Sequence, residues 1–172
     1  YGNINSPEGY SIRGIDISHH QGKINWEKLS KATVNDETVD FIFIKATEGI
    51  SLLDENFNDN FYQAREYGFL RGAYHFFSML SSGEAQADYY ISMVPDSDKV
   101  LPPVIDLEIP TKYSKEVVIK ELKDMIEKLE KHYKKRVIIY VTYHTYNAYI
   151  KGEFPNNKLW IRDIKYIPKL AE

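Results

Sequence analysis

"VIDLEIP" (104–110) ends an apolar run with two carboxylates two positions apart. Alternate residues of a strand share a face, so Asp106 and Glu108 would stand on one side of the backbone, roughly 6–7 Å apart. Like charges held that close raise at least one pKa, and the arrangement costs stability unless something uses it. The same punctuation recurs along the chain. Apolar segments end in Asp16, in Lys45 and Glu48, in Tyr74 and His75, in Tyr140, and in Arg162 and Asp163. Polar residues gathered at the ends of several strands are the feature that chooses between folds.

Working outward, strand-like and helix-like patterns alternate. "SIRGIDIS" (11–18), "DFIFIKAT" (40–47), "LRGAYHFF" (70–77), "VLPPVIDLE" (100–108), "RVIIYVT" (136–142) and "KLWIRDI" (158–164) read as strands. The near-continuous apolar character of the second implies burial on both faces. "NWEKLSKA" (25–32) reads as a helix capped by Asn25, and "DENFNDNFYQAREYG" (54–68) as one capped by Asp54 and stopped by Gly68. "SGEAQADYYISMV" (82–94) and the long "SKEVVIKELKDMIEKLEKHY" (114–133), opened by Ser114, follow, with a short helix at "YHTYNAYI" (143–150). Strand–helix alternation predicts a parallel sheet with helical crossovers. No Gly-rich phosphate loop follows the first strand, which disfavours the dinucleotide-binding open sheet. A barrel brings all the polar strand ends to one mouth, where active sites sit. The expected fold is therefore α/β: a (β/α) barrel, TIM-like but irregular.

Composition sets the outer bounds. The 172 residues are 43% hydrophobic and 27% charged, as in one ordinary globular domain. With no Cys, thiolate metal sites and Cys nucleophiles are excluded. A formal charge of −3 and a pI near 6.0 argue against a nucleic-acid partner. No apolar run approaches the roughly 20 residues of a membrane span. The opening "YGNINSPEGY" (1–10) lacks a signal peptide's apolar stretch, as a mature secreted chain or a trimmed one would. Fourteen Tyr suit a sugar cleft, because rings stack on pyranose faces, and suit packing about equally well.

Two carboxyl groups are the common equipment of glycoside hydrolysis: one protonates the leaving oxygen, the other stabilises or attacks the anomeric carbon. Asp106 and Glu108 supply that pair, and Asp16 a third carboxylate across the mouth. "HHQG" (19–22) invites a metal reading, but adjacent His residues on an extended chain point apart and lack ligand spacing. Neither metal nor cofactor is expected. His75 reads as a hydrogen-bonding residue in or near the cleft, and Trp26 as core. Trp160 is open between core and sugar platform, and the Lys/Glu-rich run 115–135 reads as a solvated helix face.

Five segments in order, "GIDISHHQGKINW" (14–26), "FIFIKATEG" (41–49), "RGAYHFF" (71–77), "PPVIDLE" (102–108) and "LWIRDI" (159–164), resemble the strand-end motifs of the glycoside hydrolase family 25 lysozymes, the Chalaropsis-type muramidases. The resemblance runs from about residue 12 to about residue 163. It implies cleavage of the β-1,4 bond between N-acetylmuramic acid and N-acetylglucosamine, with bacterial peptidoglycan as partner and a secreted or cell-envelope location. It implies Glu108 as catalytic acid, Asp106 as partner carboxylate and Asp16 lining the site. Lys45, Glu48, Tyr74, Phe77, Tyr140 and Trp160 fall where the family lines its groove. At "IRD" (161–163) the chain departs from the small residue and Tyr common there. Both sugars carry 2-acetamido groups, so substrate assistance and inversion by an activated water both stay open. A peptidoglycan-binding module without turnover and a barrel glycosidase acting on chitin are the competing readings. Residues 1–11 read as an extension and 12–172 as the catalytic barrel. Six strands fall short of the eight of a closed barrel, so a longer domain or completion by another chain is expected.

Overall fold

The computed structural model describes residues 14–34 and 37–162. The expected extension at 1–11 and Asp163 lie outside them. Six parallel strands form the main sheet: β1 (Gly14–Ile17), β2 (Phe41–Glu48), β3 (Leu70–Phe76), β4 (Val104–Leu107), β5 (Ile138–Thr142) and β6 (Lys158–Arg162). They are hydrogen-bonded in sequence order, β1 to β2 through β5 to β6. That order never reverses, so right-handed crossovers carry every helix to the same face. An open doubly wound sheet requires a reversal. The result is a curled half-barrel. Among the described residues β1 pairs only with β2, and β6 only with β5.

The curl is visible in the side chains. Trp160 of β6 and Phe43 of β2 have ring centroids 6.0 Å apart, although four strand spacings of a flat sheet would separate them by roughly 19 Å. With Phe41 and Val104 they form an interior cluster, against which Tyr74, Leu101, Ile138 and Tyr140 pack. Gly72 makes room for it: a Cβ there would lie 2.5 Å from the Phe43 ring. On the other face Ile42, Ile44, Ala73, Ile105, Leu107, Ile139 and Val141 meet the helices in a second, larger core. The central strand β2 thus buries both faces, which is why it reads as a nearly unbroken apolar run.

The helices are α1 (Trp26–Ser30), α2 (Phe57–Glu66), α3 (Gly83–Met93) and α4 (Lys115–Tyr133). Asn25 caps α1 as expected, its side chain accepting from the Lys28 amide, and Trp26 is buried. The α4 residues Val118, Leu122, Met125, Ile126, Leu129 and Tyr133 form its buried stripe at three- and four-residue spacing. Ser114 is its N-cap residue without a side-chain cap bond. Asn56, not Asp54, stands at the N-cap of α2. The Asp54 carboxylate is occupied elsewhere: it accepts from the His19 and Asn56 amides, both at 3.0 Å, and lies 2.6 Å from His19 Nδ1. That contact ties the segment after β1 to the loop before α2. The segment is also not extended. Ser18 and Gln21 form a capping box around a 3₁₀ turn, His19–Gln21, and the two His rings lie 4.0 Å apart. Tyr143–Thr145 and a π-helical turn, Tyr146–Ile150, connect β5 to β6. Short antiparallel pairs, Thr33–Val34 with Glu37–Thr38 and Leu52–Leu53 with the end of β2, complete the chain.

Candidate active site

The C-terminal ends of the six strands open into one hollow. Asp16, Ser18, His20, Gln21, Lys45, Tyr74, Phe76, Asp106, Glu108, Tyr140 and Arg162 line it. Beneath lies an apolar floor built from Phe43, Val104 and Trp160, with Asp16, Tyr74, Asp106 and Tyr140 at its edge. The structure therefore unites Asp16, Asp106 and Glu108 with Lys45, Tyr74, Tyr140 and Trp160. Trp160 is core and floor at once, 5% exposed.

Strand geometry explains which side chains arrive. On β3, Tyr74 and Phe76 face the hollow, while His75 and, just past the strand's end, Phe77 face the helices. Phe77, expected in the groove, is buried in the helix-facing core at 1% exposure, and its neighbour Phe76 takes the groove position. On β2 the register shifts between Lys45 and Thr47. The bulge inserts one residue, so Lys45 and Glu48, rather than Lys45 and Thr47, share the inner face. Lys45 Nζ bonds Glu48 Oε2 at 2.8 Å. Glu48 thus holds Lys45 without itself lining the hollow.

His75 supports the wall from behind. Fully buried, it donates from Nε2 to Gln86 Oε1 at 2.9 Å and accepts at Nδ1 from the Thr47 hydroxyl at 2.8 Å. Gln86 also accepts from the Ser78 amide and donates to the Ser78 carbonyl, which pins the loop after β3. Burial pushes the His75 imidazole down to about 4, so it is neutral at physiological pH. Beyond Glu108, the Tyr149 hydroxyl reaches the carbonyls of Pro110 and Tyr113 at 3.2 and 3.1 Å.

Burial, then Glu108 and Asp16, push the Asp106 carboxyl up to about 8, against the opposing pull of Arg162 and Lys45. The Asp106 Oδ1 and Trp160 Nε1 atoms are buried with no hydrogen-bond partner in the protein. Glu108, one residue past the end of β4, meets Arg162 Nη1 at 3.4 Å. Burial, then Asp16 and Asp106, raise the Tyr74 and Tyr140 hydroxyls above their usual range, leaving both as neutral donors. Ser18, His20, Gln21 and Phe76 were not among the expected groove residues, whereas Arg162 was expected at the mouth as a polar strand end without an assigned role. For Phe76 the signal was present: strand alternation from Tyr74 selects it over Phe77. The first three depend on a 3₁₀ turn that the "HHQG" reading missed. Among the described residues no group of three or more His, Asp or Glu side chains is placed to hold a metal ion. No described helix is long and apolar enough to cross a membrane.

Comparison with known proteins supplies the frame. The solved family 25 glycosyl hydrolase of Bacillus anthracis superposes with a TM-score of 0.85 at 41% identity, covering 99% of this chain and 78% of that one. The Streptomyces coelicolor bacterial lysozyme superposes at 0.78 with 29% identity, over 94% and 80% of the two chains. In sequence, YegX of Escherichia coli K12 is 39% identical over 155 residues, 88% of this chain, and Lysozyme M1 of Streptomyces globisporus 43% identical over 101 residues, 56% of it. The chain spans 57% of YegX and 33% of Lysozyme M1. The family model described as glycosyl hydrolases family 25 matches residues 15–170, and the chain belongs to that family.

Proposed function

We propose that this chain is the catalytic region of a lysozyme, an N-acetylmuramidase that hydrolyses the β-1,4 bond between N-acetylmuramic acid and N-acetylglucosamine at the bacterial cell wall, outside the cytoplasmic membrane. The observation that carries the reading is the meeting of Asp16, Asp106 and Glu108 in one hollow at the C-terminal mouth of a family 25 half-barrel. The names of two of the relatives, both lysozymes, support the substrate.

Glu108, at the open side, protonates the leaving oxygen. Asp106 lies deeper, beside the anomeric carbon and its acetamido group, and Asp16 stabilises charge from across the mouth. Lys45, Tyr74, Tyr140 and Trp160 hold the sugars, and Glu48 fixes Lys45. The two unpartnered buried atoms, a carboxylate oxygen and an indole N–H, fit an acceptor–donor pair for sugar hydroxyl and acetamido groups. Tyr74 and Tyr140 add hydroxyl donors on the same wall.

The upward push on Asp106 favours a second assignment, in which Asp106 is the proton donor and Glu108 its partner. The pH profile separates them, because a general acid sets the alkaline limb. Donation by Asp106 places that limb near pH 8 and Asp106→Asn abolishes it. Donation by Glu108 leaves the limb in place in Asp106→Asn.

The test of the function itself is turbidity clearing of purified cell walls against sugar release from chitin. Wild type is expected to clear walls, and Glu108→Gln to do so at least about a hundredfold more slowly while melting normally. Near-normal clearing by that variant removes Glu108 from the chemistry. Binding without clearing identifies a wall-binding module, and preferential chitin release a different glycosidase.

A further inference from the structure

We infer that Arg162 is a carboxylate-recognition residue, selecting glycan strands that carry an acidic substituent beside the scissile bond. The inference rests on the muramidase reading and deepens it. The hollow holds three carboxylates, Asp16, Asp106 and Glu108, and two basic side chains, Lys45 and Arg162. Lys45 is spoken for: its side chain is 9% exposed and its ammonium lies 2.8 Å from Glu48. Arg162 differs in each respect. Its side chain is 47% exposed, and among the described residues it meets Glu108 across a long 3.4 Å. An ion pair that exposed contributes little and exchanges readily.

A guanidinium presents a planar fork of N–H donors that matches the two oxygens of a carboxylate, so a bidentate partner displaces a single long contact. Muramic acid brings such a group. Its 3-O-lactyl ether ends in a carboxyl that is either free or amide-linked to a peptide bearing carboxylates of its own. An anionic strand entering a mouth lined by Asp16 and Glu108 meets repulsion unless a cation answers it. Arg162, at the end of β6, is the accessible cation among the described lining residues. Its move onto the substrate also frees Glu108 Oε1 to approach the leaving oxygen, so recognition and the catalytic group are coupled through one contact.

Three glycan preparations test this: peptide-free strands with free lactyl carboxylates, the same strands with those carboxyls amidated, and peptide-bearing strands. Binding and KM are measured at low ionic strength for wild type, Arg162→Ala and Arg162→Lys, with thermal unfolding as a check on folding. Wild type is expected to favour the free-carboxylate strands over the amidated ones by roughly tenfold or more, as for a charge-assisted bond. Arg162→Ala erases that preference, and Arg162→Lys keeps part of it, a point charge without the fork. Added salt weakens the preference. A preference confined to peptide-bearing strands assigns the carboxylate to the peptide rather than the lactyl group and sustains the inference. Equal treatment of all three strands by wild type, or an undiminished preference in Arg162→Ala, overturns it. A wild type that discriminates in binding but cleaves nothing overturns the hydrolase reading and leaves Arg162 standing. One that cleaves all strands alike does the reverse.

Discussion

At the residue scale, Asp106 carries the largest consequence for stability. Its carboxyl is pushed up to about 8 in the folded chain, against about 3.9 for an unperturbed Asp. Between those values the folded state binds more protons than the unfolded one, so stability falls as pH rises. The favourable contribution is fully present below about pH 4 and is lost through pH 8, with a slope that reaches about 1.4 kcal/mol per pH unit. Denaturant unfolding at pH 5 and pH 7.5 is expected to show the wild type weaker at the higher pH. Asp106→Asn, isosteric and uncharged, is expected to flatten that difference and to stabilise the fold at pH 7.5. An unchanged slope in the variant removes Asp106 as its source. The carboxylate pair was legible in "VIDLEIP" because alternation places both acids on one face. That Asp106 is pushed up was not, since that depends on its lying deep in the strand with Asp16 facing it from 90 positions away.

At the element scale, α3 packs hard against α4 at Gly83. A Cβ at that position would run into the Glu121 carbonyl, a backbone group that cannot rotate aside. The same approach lets the Gly83 amide donate to Glu121 Oε2 at 2.8 Å, satisfying one orphan donor at the start of α3. Gly83→Ala is expected to destabilise by about 1–3 kcal/mol through overpacking. Because this contact belongs to the helix layer, turnover per folded molecule should be retained, as wall clearing below the melting transition would show. Reduced turnover at full folding would mean that the helix layer transmits strain to the mouth. β2 was readable as a nearly continuous apolar run and α4 as a periodic apolar stripe. The two-residue antiparallel pairs were too short to leave a pattern. Asp54 was misread as a cap because its partner, His19, stands 35 positions earlier in the chain.

At the scale of the whole molecule, strand order and curl are one property seen twice. Strand–helix alternation made a parallel sheet legible, and the polar strand ends made the barrel winding legible. The side chains that hold the curl were not, because Phe43 and Trp160 are 117 positions apart and meet only across the interior. Tyr140 also packs edge-on against Trp160, with centroids 5.2 Å apart. Trp160 therefore joins β2 and β5 from its place on β6 and forms the floor beneath Asp106. Trp160→Ala is expected to cost about 3–5 kcal/mol, the range for deleting a buried aromatic. Unlike Gly83→Ala, it should also lower turnover per folded molecule, because the curl sets the spacing between Asp16 on β1 and the acids at the end of β4. A double-mutant cycle of Phe43→Leu with Trp160→Leu isolates the pair, with a coupling of about 0.5–1.5 kcal/mol expected for two tilted rings. In a Trp26→Phe background Trp160 is the single Trp, so its emission reports on the floor directly. A sugar held over that floor should shift the emission. Trp160→Ala with wild-type turnover per folded molecule would show instead that hydrogen bonding along the six strands holds the curl without the interior ring.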